Sequence, residues 1–135
     1  MPRFLRPSTV CAGLLVLAAA GAAHAADTSA LAQQQFWTAQ AGQPADAARG
    51  QAFFTNRHGG EWSCSSCHGT PPTGAGKHAN TGKSINPLAP ARNPRAFTET
   101  AKVEKWFRRN CKDVLARECS AAEKADVLAY LNSLK

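Results

Sequence analysis

Methionine occurs in this chain only as Met1. No thioether is therefore available inside the fold, either to fill core gaps or to bind a soft metal. Long apolar runs are also missing. The longest, from about Val10 to Ala20, falls short of the ~20 residues of a membrane span. No Lys/Arg block and no alternation of basic and aromatic residues marks a nucleic-acid surface. No stretch alternates apolar and polar residues as a half-buried strand would, and no segment repeats another. Charged residues make up 19% and aromatics 7% of the 135 residues, a balance that is no signature of disorder. The length suits one domain.

The N-terminus reads as an address. Arg3 and Arg6 form a basic start, the apolar run follows, and Ala23-His24-Ala25 is an A-x-A cleavage pattern. Residues 1–25 are expected to be a secretory signal peptide. Residues 26–135 then form the mature domain, with no membrane span after cleavage. Export implies an oxidising compartment, most simply a bacterial periplasm. Cleavage removes Arg3 and Arg6 and lowers the formal charge from +7 to +5. A basic balance without a nucleic-acid pattern favours steering toward an acidic protein partner.

Large aliphatic residues are sparse in the mature segment, and a domain of this size buries a limited fraction of its surface. A large apolar cofactor or a disulfide would supplement such a core. Four cysteines remain for the purpose: Cys64, Cys67, Cys111 and Cys119.

The helical signals flank a Gly/Pro-rich middle. Ser29 caps a helix expected over about 30–41, ended by Gly42. A second is expected over about 44–55, with Pro44 near its first turn. Residues 56–96 carry no periodicity, and so long a stretch should wrap on something or act. A helix then spans about 98–111, placing Val103, Trp106, Phe107 and Asn110 on one face. Ser120-Ala121-Ala122-Glu123 is a capping box, and Val127, Leu128, Leu131 and Leu134 form the last helix's apolar stripe.

The deciding motif is Cys64-Ser65-Ser66-Cys67-His68, the C-x-x-C-H attachment sequence of c-type haem. Two thiols three residues apart can add to the two vinyl groups of one porphyrin, and the next residue then supplies an imidazole to the iron. Two rivals exist. A zinc site would recruit His58 or His78. A disulfide oxidoreductase would need a βαβ frame that is missing here. Pro87 and Pro90 are candidates to offer the carbonyl that orients His68, or else simply punctuate the loop.

With no internal Met, the second axial ligand must be something else. His58, His78 and the lysines are available, which keeps bis-His or His/Lys ligation open. Asn110 is the sharper candidate, because a polar amide on an apolar face needs a partner. A helix-terminal Asn meeting backbone carbonyls is its ordinary alternative. Cys111 and Cys119 can close a disulfide beside it, contributing about 2–3 kcal/mol.

Gly50-Gln51-Ala52-Phe53-Phe54 resembles the glycine–aromatic crossing of the first and last helices in class I cytochromes c, with Tyr130 or Leu131 as partner. Trp106-Phe107-Arg108-Arg109-Asn110-Cys111, with Cys119 and the Glu123-Lys124-Ala125-Asp126 helix, narrows this. It is similar to the sphaeroides haem protein family, oxygen-binding high-spin class I cytochromes c. The resemblance spans about residues 30–135, with one inserted residue between His68 and Asn110. It implies an all-α fold of short helices wrapped around one covalently bound haem c. It places Cys64, Cys67, His68, Asn110 and Trp106 at that haem, with His68 and Asn110 on the iron. It further implies a Cys111–Cys119 disulfide and an Asn ligand that leaves on reduction, so that ferrous haem binds O2, NO or CO. The expected partner is a redox protein such as a dihaem cytochrome c. Two readings stand beside this one. One is a low-spin electron-transfer cytochrome with bis-His or His/Lys ligation. The other is an enzyme acting on oxygen, nitric oxide or peroxide at the open iron, for which no acid–base constellation is present.

Overall fold

A computed structural model describes residues 26–135; the expected signal peptide lies outside them. Five helices carry the architecture: α1 (Ala30–Ala41), α2 (Ala47–Thr55), α3 (Cys64–His68), α4 (Thr100–Leu115) and α5 (Ala121–Ser133). Between α3 and α4 lies an antiparallel ribbon of two short strands, β1 (Gly76–Lys77) and β2 (Ser84–Ile85). The fold is all-α apart from that ribbon, which has too few residues to show a period.

The caps explain the boundaries. Ser29 Oγ accepts from Ala32 N, and Gly42 closes α1 in the left-handed conformation. α2 begins three residues later than Pro44 suggested. Asp46 caps it instead, its side chain accepting from Arg49 N, while the Pro44 carbonyl accepts from Arg49 Nη2. α4 runs four residues past Cys111 and stops at Ala116, which adopts a left-handed φ of 57° without being glycine. The Ser120–Glu123 capping box of α5 is reciprocal, and Glu123 also accepts two bonds from Arg117.

α5 is the central member. α2 lies against one side of it and α1 against another. The α2–α5 crossing is close enough that a β-carbon on Gly50 would run into the Asp126 carbonyl and the Tyr130 β-carbon. The Tyr130 expectation therefore holds and Asp126 joins it. The crossing is pinned by charge as well. Arg49 makes a two-pronged pair with the buried Asp126 carboxylate, Nε to Oδ2 at 2.8 Å and Nη2 to Oδ1 at 2.9 Å. Asp126 also accepts from Asp46 N at 2.7 Å. Phe54, Val127, Tyr130 and Leu131 form the adjoining core, and Phe53, Cys64, Leu88, Phe97 and Phe107 pack around it. Full burial of Leu131 and Phe54 contributes about 1.5–3 kcal/mol each.

Gly50→Ala tests this crossing. Its contacts are backbone on one side, so the helices must separate rather than a side chain turn. The expected loss is about 3 kcal/mol, a fall of about 12 °C in melting temperature by calorimetry. An unchanged melting temperature would show that the crossing is not tight.

α4 is held differently. Its start is tied to the α1 end of the molecule: Thr100 N donates to Asp27 Oδ1 at 2.8 Å, and Gln33 Nε2 donates to Thr100 Oγ1. Its later part is tied by the Cys111–Cys119 disulfide. Among the described residues it lies along no other helix over an extended face. Yet it is amphipathic, with Val103 buried and Phe107 half-buried.

Candidate haem site

The attachment motif folds as one helical turn. Ser63 caps it: its Oγ accepts from Ser66 N, and Ser66 Oγ accepts from Ser63 N. This capping fixes the turn on which Cys64 and Cys67 sit three residues apart, so both thiols project from the same short helix. Both are unpaired and half-buried. Burial pushes the Cys64 thiol up to about 11, so it stays protonated at neutral pH. His68 follows on the same turn. Its ring centroid lies 6.2 Å from that of Phe54, inside the core contributed by α2. Burial lowers its pKa and favours the neutral imidazole, the form that binds a metal.

The ribbon closes over this turn. A β-carbon on Gly76 would overlap the Cys67 carbonyl and crowd the His68 Cα. Ala79 N also reaches Cys67 Sγ at 3.4 Å. This contact was invisible in the sequence, because glycines are frequent there and only the fold says which one is crowded. Leu88 N and Ala89 N both donate to the Pro72 carbonyl, drawing the two ends of the loop together. The Pro87 carbonyl accepts from Asn93 Nδ2 at 2.9 Å, which gives that proline a local structural duty.

The other ligand candidates separate by geometry. The His58 ring is turned back on α2, with Nε2 2.9 Å from the Phe53 carbonyl. His78 is exposed, and its Nδ1 accepts from Thr81 N at 3.3 Å. Among the described residues no three of His, Cys, Asp and Glu gather as a metal cage, so His58 and His78 do not complete a zinc site with the motif. Asn110 is half-buried on α4, one turn beyond Trp106 and one residue before the buried Cys111. The Cys111–Cys119 bond anchors the backbone beside it. Trp106 is 48% exposed, with Lys105 Nζ 5.7 Å and Arg109 Cζ 5.4 Å from its ring centre.

These residues fit a c-type haem. Two unpaired thiols and an imidazole project from one capped turn. A separate amphipathic helix, tied near both ends, carries a polar amide on its half-buried side.

Residues 40–131 match the family described as a domain of unknown function (DUF1924). The cytochrome c-type protein SHP of Cereibacter sphaeroides is 49% identical over 135 residues, covering 97% of this chain and 98% of that protein. The chain belongs to the sphaeroides haem protein family. Its cofactor is covalently bound haem c. Cytochrome c″ of Methylophilus methylotrophus is 44% identical over 86 residues, 61% of this chain and 60% of that one. Among solved structures, oxidised SHP, an oxygen-binding cytochrome c, superposes with a TM-score of 0.74 at 47% identity, covering 80% of this chain and 99% of that one. Oxidised cytochrome c″ gives 0.68 at 35% identity, covering 78% and 94%. A solution structure of the same cytochrome c″, concerned with haem-ligand detachment, gives 0.65 at 36% identity over 78% and 93%. The class I cytochrome c architecture expected of this sphaeroides haem protein relative is therefore the one it adopts.

Proposed function

We propose that this chain is an exported, periplasmic monohaem cytochrome c that exchanges one electron with a redox partner and binds O2 or another diatomic gas in the reduced state. Cys64 and Cys67 would hold the haem through thioethers, and His68 would take one axial position. Asn110 would take the other in the oxidised state, with Trp106 beside it. The carrying observation is the placement of Asn110, half-buried on the face of α4 that includes Val103 and Phe107. The competing side chains support it: no internal Met exists, and the His58 and His78 rings engage backbone groups elsewhere.

Bound haem supplies an iron that changes by one electron and, when ferrous, has affinity for diatomic gases. An amide oxygen is a hard, weak ligand and suits the ferric ion better. Asn110 would therefore hold its position before reduction and yield it afterwards. Released, its amide NH2 would be a hydrogen-bond donor for an incoming ligand. The oxygen binding of SHP and the ligand detachment studied in cytochrome c″ agree with this division of labour.

Optical spectra of the purified holoprotein test the reading. A broad, high-spin reduced Soret band that sharpens and shifts under CO is expected. Sharp low-spin reduced bands indifferent to CO would replace it with ordinary electron transfer under a permanent second ligand.

A further inference from the structure

Charge in this protein is segregated along the chain. Residues 77–112 contain nine Lys/Arg and two Asp/Glu; the rest of residues 26–135 contain five and seven. The basic segment runs from the ribbon over Cys67 to the end of the α4 turn that carries Asn110. Its densest part is α4, where Lys105, Arg108, Arg109 and Lys112 are all exposed. Among the described residues none of these four forms an ion pair, whereas Lys102 on the same helix is paired with Glu99. Lys105–Arg109 and Arg108–Lys112 are like-charge neighbours at i, i+4, a spacing that disfavours an isolated helix. An acidic surface laid against them would relieve that repulsion.

Arg is among the residue types that most often dominate protein–protein binding energy, and this ridge carries two. The ribbon, the rival basic surface, offers only Lys77 and Lys83.

We infer that the Lys105–Arg108–Arg109–Lys112 ridge of α4 is the docking surface for an acidic electron-donor protein. This rests on the electron-exchange reading above and names its entry face. Docking itself makes or breaks no covalent bond: the donor loses one electron and ferric iron becomes ferrous. The donor would lie over the helix that carries Asn110, so the electron arrives on the side where the ligand is released.

The test compares two charge-matched triple variants of the holoprotein. One is Lys105→Glu/Arg108→Glu/Lys112→Glu. The other is Lys77→Glu/Lys83→Glu/Arg92→Glu, on the ribbon and its following loop. Each is mixed in stopped flow with fully reduced flavodoxin, an acidic one-electron donor, and separately with the small donor reduced lumiflavin. At low salt the α4 variant is expected to lose at least tenfold in second-order rate with flavodoxin, and the ribbon variant less than threefold. Both differences should shrink at high salt, where surface charges are screened. Lumiflavin rates should match the wild type in both. Equal losses in the two variants would reduce the effect to overall charge and overturn the assignment, as would no loss from α4. Sedimentation with anionic phosphatidylglycerol vesicles checks the other acidic surface. Vesicle binding abolished by the α4 variant, with its flavodoxin rate intact, would give the ridge to a membrane and also overturn the proposal. Spectra under CO are recorded on every variant, so a failure of the Asn110 reading appears there and not in the salt-dependent rates.

Discussion

Replacing Cys64 and Cys67 together by Ala should give a chain from which acidified acetone extracts all of the haem, against none from the wild type. The double change is necessary, since one thioether would still retain the cofactor. Both thiols project from the same capped turn and neither is committed to another sulfur. With the tether gone, retention depends on His68 and on apolar contact alone. Under the proposed ligation the α4 face bearing Val103 and Phe107 would then lose the haem as a neighbour. Circular dichroism at 222 nm should show the helical signal weakened once the pigment is removed. Pigment that resists extraction from the double variant would mean that the attachment lies elsewhere.

Asn110→Met should move the protein toward a permanently ligated state. A thioether is soft and favours ferrous over ferric iron, the reverse of an amide oxygen. A hundredfold swing in that preference corresponds to a rise of about 120 mV in reduction potential, at 59 mV per tenfold for one electron. The sulfur must also leave before a gas can enter, so CO association should slow by about a hundredfold. Potentiometry and flash photolysis read the two effects independently. If both stayed at wild-type values, residue 110 would not be at the iron.

Much of the frame was legible because the chain states its helix ends locally. Ser29 and Gly42 bracket α1, and Ser120 with Glu123 marks the start of α5, through groups three or four residues away from what they cap. The start of α2 departs from the sequence expectation for the same reason in reverse. Pro44 is a favourable first-turn residue, but Asp46 binds Arg49 N and takes the cap. The end of α4 left no mark, because Ala116 enters the left-handed conformation that glycine usually announces. Long-range pairings were the real gap. Tyr130 could be guessed as a partner of Gly50, but Asp126 is reached through Arg49, 77 residues away. The cysteine motif showed the attachment point plainly. The crowding of Gly76 on Cys67, and Phe54 on His68, depend on which loops the fold brings back.

α4 behaves like a beam with two fixed supports. Asp27 and Gln33 secure its beginning, and a covalent cross-link secures the position immediately after residue 110. The main chain there has little freedom to travel, so under the proposed ligation Asn110 would leave the iron by swinging about its own side-chain bonds. Such a switch would take the time of a rotamer change rather than of a helix displacement, and the space it opened for a guest molecule would be bounded by the reach of a single carboxamide.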